Sequence, residues 1–200
     1  MFLPKNSKTM IIGITGGIGS GKSTFSDLLI NKGYSVYNTD AKARELQNVD
    51  AEIRQKIIAL FGNDSYDTQG LNRPFIAQIV FNDSSKLKQL NEIVHPAVKL
   101  DFVNWAKQFD LNQNIFLECA ILFEGGFHKL VDKSVLITAS ELVRIQRVMK
   151  RDKVTELQVR ARMKNQMSEE DKKKLADFVI YSDDEKPMSE KLNKFLLELD

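Results

Sequence analysis

The sequence predicts an α/β domain built on a parallel sheet, and three observations carry that prediction. Strand-like and helix-like segments alternate along the chain instead of separating into blocks. A glycine-rich turn, "GGIGSGKS" at 16–23, joins the first apolar strand to the first helical pattern. A long helical stretch at 51–109 then interrupts the alternation in the manner of a substrate-facing insertion. At 200 residues and 42% hydrophobic content the chain can bury a sizeable core, so one domain with small inserted parts is expected.

Each element has its own signal. The first strand falls at about 10–15, behind residues 1–9, which read as a loose extension. A helix at about 22–32 stops at Gly33, a residue suited to a left-handed C-terminal cap. "YSVYN" at 34–38 is the second strand. The helical stretch 51–109 is broken at 62–72 by turn formers and at Pro96. "NIFLECA" and "KSVLIT" read as core strands, and "DFVIYS" as a further one. Residues 140–176 are helical and charged, with "TELQ" at 155–158 matching a capping box. A final amphipathic helix at about 187–199 packs on the sheet.

Composition excludes several classes. A net charge of +2 gives no ground for a nucleic-acid partner or an acidic membrane surface. The single cysteine, Cys119, rules out an internal disulfide and suits a reducing cytosol. Inside "IFLECAILF" it reads as a small buried hydrophobe, the alternative being a reactive nucleophile. The start of the chain lacks the apolar run of a signal peptide, and no segment approaches a membrane span of roughly 20 apolar residues. The expectation is a soluble, cytoplasmic protein.

Residues 16–23 satisfy G-x-x-x-x-G-K-[ST] between a strand and a helix, the context of a phosphate-binding loop. Small side chains let backbone N–H groups turn inward beside a helix N-terminus, so a polyphosphate meets no obstruction. Gly17, Ile18, Gly19, Ser20 and Gly21 would then cradle a nucleotide's polyphosphate. Lys22 would reach its β- and γ-phosphates, Ser23 would ligate Mg²⁺ and Thr24 would support the α-phosphate. The alternative is a flexible glycine turn.

Asp40 follows the second strand, and carboxyl ends of parallel strands face the ligand crevice. A carboxylate there can accept a hydroxyl proton, or cap a helix beginning at Ala41. Residues 141–164 hold eight cations against three anions, a larger excess than that of the whole chain. Solvated helices account for part of it; the functional reading is a lid in which Arg147 and Arg151, one helical turn apart, close over a transferring phosphoryl group. No aromatics interleave the cations, which speaks against a single-strand nucleic-acid platform.

With these residues in view the chain resembles the dephospho-CoA kinases over about 10–199. The likeness rests on "GITGGIGSGKST", Asp40 followed by "AKAREL", "LNR" at 71–73, "LNEIVHPAV" at 90–98 and "AILFEGGF" at 120–127. It continues through "RIQRVMKRD" at 144–152, "RARMKNQ" at 160–166 and "ADFVI" at 176–180. The resemblance implies a P-loop kinase, a three-layer α/β/α fold with a core at about 10–50, 112–140 and 176–200. It also implies a helical CoA-binding region at about 51–111 and a lid at about 141–175.

The implied reaction phosphorylates the ribose 3′-hydroxyl of dephospho-CoA with ATP and Mg²⁺. By position, Asp40 is the catalytic base, Lys22 and Arg147 assist transfer, Arg151 belongs with ATP, and Arg44, Arg73 and His95 fall in motifs on the acceptor side. His95 has a structural alternative. Glu118 or Glu124 would order a magnesium-bound water, or serve the loop itself. Two departures stand out. Asn38 replaces the first acid of an Asp-x-Asp found in many members, so the base rests on Asp40 alone. Tyr181-Ser182-Asp183 stands where the family often has an asparagine that would meet adenine. Rival readings are another small-molecule or nucleoside-monophosphate kinase of this fold, and a nucleotide switch, for which no N-K-x-D is present.

Overall fold

The computed structural model describes residues 10–109 and 113–199; the extension expected at 1–9 lies outside them. The chain forms two compact units, Thr39–Gln108 and the segments on either side of it. The first segment supplies β1 (Ile11–Thr15), α1 (Lys22–Asn31) and β2 (Ser35–Asn38). The helical unit follows with α2 (Thr39–Val49), α3 (Ala51–Phe61), a hairpin of β3 (Tyr66–Asp67) and β4 (Gly70–Leu71), α4 (Arg73–Asn82) and α5 (Ser84–Ala106). The last segment adds β5 (Ile115–Glu118), β6 (Lys133–Thr138), α6 (Glu141–Asp152), α7 (Glu156–Met163), α8 (Glu169–Leu175), β7 (Phe178–Tyr181) and α9 (Met188–Leu199).

In the sheet unit the strands run parallel in the order β2-β5-β1-β6-β7. The central strands are apolar on both faces, as a covered parallel sheet requires. Ile12, Ile14, Phe116, Val135 and Ile137 meet Phe25 and Leu29 of α1 and Leu192 and Phe195 of α9 in one core cluster. Phe195 lies edge-on to Phe25 and Phe178, with ring centroids 5.7 and 5.2 Å away. Gly13 leaves room for the Leu122 and Val131 side chains, which would lie 2.8 and 3.3 Å from an added Cβ. Because every strand points the same way, their carboxyl ends share one edge. There the apolar runs give way to buried Thr15, Glu118 and Thr138.

The helical unit buries Ile53, Ile57, Ile76, Leu90, Val94, Val98 and Phe102. Its helices start on side-chain caps: Asp50, Asn72 and Asp83 accept the N–H groups of Ile53, Phe75 and Lys86. The unit begins at Thr39 and not at 51, because α2 packs on α3 and α5. The break expected at 62–72 is a short 3₁₀ turn and the β3–β4 hairpin. The break expected at Pro96 is absent, since α5 continues through it. An interior proline costs roughly 3 kcal/mol. Burial of Leu90, Val94, Val98 and Phe102 on both sides of it offsets that cost. The helix after β2 starts at Thr39, so Asp40 lies in its first turn and not at a cap before Ala41.

Candidate active site

The loop between β1 and α1 is held by sterics as much as by hydrogen bonds. Gly19 adopts φ 80° and Gly21 φ 92°, a region open to glycine and costly for other residues. A Cβ on Gly16 would strike the Ile137 carbonyl, one on Gly17 the Arg144 and Glu169 side chains, and one on Gly19 the Arg144 carbonyl. Ser20 N–H closes the turn on the Gly17 carbonyl at 3.1 Å. α1 then begins at Lys22 with no acid in its first turn, so the positive end of the helix is unopposed. Ser23 and Thr24 in that turn are exposed. The cradle therefore fits a polyphosphate. Among the described residues no cluster of three or more His, Cys, Asp or Glu gathers. The exposed Ser23 hydroxyl in this turn is the group that could hold a magnesium ion together with the nucleotide's own oxygens.

Lys22 Nζ lies 2.6 Å from Oε1 of Glu118, the last residue of β5, and Asn38 Nδ2 donates to Oε2 at 2.9 Å. Both side chains of the ion pair are largely withdrawn from water, Lys22 at 12% exposure and Glu118 at 5%. Asn38 thereby supplies a donor where an aspartate would set a second negative charge against Glu118.

The basic segment divides into distinct roles. Arg144 is buried, donates through Nε to the Ile18 carbonyl at 3.1 Å, and pairs with Glu169 at 3.3 Å. Arg147 donates to Ser182 Oγ at 2.7 Å, to the Ser182 carbonyl at 2.9 Å and to the Gly19 carbonyl at 3.4 Å. Ser182, which stands where the family often has an asparagine, in turn donates to the Ser20 carbonyl at 2.6 Å and is so tied to the loop. Arg151 bonds Asp152 through Nε at 2.7 Å, which with Arg162 holds that carboxyl below its ordinary range. The capping box expected at 155–158 is present, with Thr155 and Gln158 bonded reciprocally.

In the helical unit, Asp40 and Arg44 stand one turn apart on α2, both exposed. Arg73 Nη2 donates to the Arg44 carbonyl at 3.4 Å and Nη1 to Gln47 Oε1 at 3.2 Å. Desolvation and the neighbouring Arg44 charge lower the Arg73 pKa. Neither arginine forms an ion pair among the described residues, so two adjacent cations are available to an anionic ligand. His95, on α5, is half-buried; burial and then Lys99 pull its pKa below the usual histidine value.

Sequence reasoning did not single out Gln166 and Glu169. Gln166 Oε1 accepts the Ile18 N–H at 3.0 Å and Glu169 Oε1 the Gly17 N–H at 3.1 Å. These contacts span about 150 positions of chain, and no local pattern announces them.

Comparison with known proteins agrees with this geometry. A sequence model described as dephospho-CoA kinase matches residues 10–187. A dephospho-CoA kinase of Bacteroides fragilis is 40% identical over 177 residues, covering 88% of this chain and 86% of its own. A Thermus thermophilus crystal structure superposes with a TM-score of 0.83 at 34% identity, over 96% of this chain and 99% of that one. Dephospho-CoA kinase from Campylobacter jejuni superposes with a TM-score of 0.69 at 26% identity, over 94% and 96%. With a phosphate loop, a parallel sheet that presents it and matches of this extent, the chain belongs to the dephospho-CoA kinase family.

Proposed function

We propose that the chain transfers the γ-phosphoryl group of ATP to the ribose 3′-hydroxyl of dephospho-CoA, giving coenzyme A and ADP. The observation that carries this reading is the phosphate loop with Lys22 at the head of α1, in a chain whose family match covers residues 10–187. In the step proposed, the ribose oxygen forms a bond to the γ-phosphorus as the bond to the ADP oxygen breaks. The hydroxyl proton passes to the Asp40 carboxylate.

Gly19, Ser20 and Gly21, with Lys22 and Thr24, bind the triphosphate, Lys22 exchanging Glu118 for the β- and γ-phosphates; the Gly17 and Ile18 N–H groups, expected to share that task, are taken by Glu169 and Gln166. Ser23 holds Mg²⁺, which when bound with ATP offsets phosphate charge. Arg44 and Arg73 are suited to the anionic groups of the acceptor, and their unneutralised adjacency supports that role; His95 belongs to the same unit. Arg147 and Arg151 serve the lid; each must trade its present partners for the nucleotide, Arg147 those on Ser182 and Arg151 that on Asp152. Positioning and charge neutralisation supply most of the rate, as phosphoryl transfer allows.

The test is direct. ATP·Mg²⁺ is incubated with the protein and dephospho-CoA, AMP, shikimate or gluconate in parallel, and products are identified by mass. Phosphorylated dephospho-CoA with the other acceptors untouched is expected; a product from another acceptor alone contradicts the reading.

A further inference from the structure

Gly17 and Ile18 open the phosphate loop, and three side chains from α6, α8 and the turn before α8 hold them. Glu169 Oε1 accepts the Gly17 N–H at 3.1 Å. Gln166 Oε1 accepts the Ile18 N–H at 3.0 Å. Arg144 Nε donates to the Ile18 carbonyl at 3.1 Å. Glu169 joins these pieces: its Oε2 accepts the Thr138 hydroxyl at 2.5 Å, and its Oε1 lies 3.3 Å from Arg144 Nη1. Thr138 and Arg144 are buried, at 1% and 4% exposure.

A glycine-rich segment has more backbone freedom to lose than any other. Orientation of the first peptide planes sets where the later N–H groups of the loop point. A loop fixed before the ligand arrives loses less entropy on binding.

We propose that Glu169 is a positioning residue for the phosphate loop, fixing its first turn in the polyphosphate-accepting shape and coupling that shape to α8. The proposal rests on the reading of the loop as the ATP site. Glu169 touches neither the transferred group nor the acceptor in this role; it acts through Gly17 and Arg144. The second attachment of α8 supplies a control. Lys172 is fully buried, donates to the Ala120 carbonyl at 3.0 Å and pairs with Glu124 at 3.3 Å, so it anchors the same helix to the segment after β5.

The experiment titrates ATP·Mg²⁺ calorimetrically, without acceptor, into the full chain and its Glu169→Gln, Glu169→Ala and Lys172→Met variants, with a thermal melt of each. Glu169→Ala should weaken ATP binding by ~10-fold or more, and Glu169→Gln, which keeps an acceptor for Gly17 but loses the charge facing Arg144, by about 3-fold. Lys172→Met should lower Tm while holding ATP affinity within about 2-fold. At saturating ATP, Glu169→Gln turnover with dephospho-CoA should return to near wild type, the loss residing in KM for ATP. Should Glu169→Ala fail to fold, the comparison of Glu169→Gln with Lys172→Met decides alone.

Wild-type affinity in both Glu169 variants would overturn the proposal. So would an equal loss of affinity in Lys172→Met at equal loss of Tm, since α8 would then act only as support. ATP binding that depends on Glu169 in a protein that fails to phosphorylate dephospho-CoA would overturn the acceptor reading alone. A wild type that binds no ATP would overturn both.

Discussion

Lys22 holds its charge 2.6 Å from a buried carboxylate, so ATP must win the lysine from Glu118. Lys22→Ala should leave the fold intact, because the loop is formed by backbone and neighbouring side chains. It should reduce kcat by ~10²–10³, the scale of a lost transition-state donor of about 3–4 kcal/mol. A folded variant with near-normal turnover would contradict the phosphate-loop assignment. Glu118→Gln removes the competitor for Lys22 and one of the two carboxylates, with Glu124, that the sequence offers for ordering a magnesium-bound water. ATP affinity should therefore hold or improve while kcat falls by about 10²-fold, and calorimetry beside steady-state kinetics separates the two. Arg147→Ala should lower kcat more than it raises KM for dephospho-CoA; the reverse pattern would place Arg147 in ground-state binding. The loop glycines and Lys22 were legible because their chemistry lies in one short run of sequence. Glu169 and Gln166 were not, because what matters in them is contact with residues about 150 positions away.

At the scale of elements, the apolar strands and the capping box were readable because their signals are local: β-branched runs, and Thr155 three residues from Gln158. Pro96 shows where local signals lose to tertiary burial, since a residue that ends most helices is carried by a 23-residue helix packed along its length. Pro96 is exposed, so its replacement removes little packing. Pro96→Ala should restore an intrahelical donor and stabilise the protein by about 1–2 kcal/mol, after allowance for the greater freedom of the unfolded chain. Urea unfolding measures this; a lower midpoint would mean that the proline ring itself is needed. The sheet order was not legible at all. β5 lies between β1 and β2 through pairings such as Ile12 with Phe116 and Val36 with Phe116, and no strand carries a mark of its neighbour.

At the scale of the whole molecule, the α/β class followed from alternation of elements, and the boundary of the helical unit did not. α2 carries few buried residues, Thr39 and Gln47, so its pattern gives little sign that it packs with α3 and α5. Stability should respond to pH through His95. Its folded-state pKa lies below the unfolded value of about 6.5, so the unfolded chain takes up the proton first as pH falls. Stability is then undiminished above about pH 6.5 and is lost as pH falls through the lower folded-state pKa. His95→Gln should flatten this part of the profile, and an unchanged slope would assign it to other groups.

The central claim is phosphoryl transfer to a hydroxyl whose proton goes to Asp40, and Asp40→Asn in a single-turnover reaction with ATP·Mg²⁺ and dephospho-CoA tests it most directly. The substitution keeps the shape of a residue in the first turn of α2 and removes its basicity. Transfer should slow by ~10²–10⁴, while melting temperature and ATP affinity barely move. A variant that keeps more than about half of the wild-type rate would contradict the account.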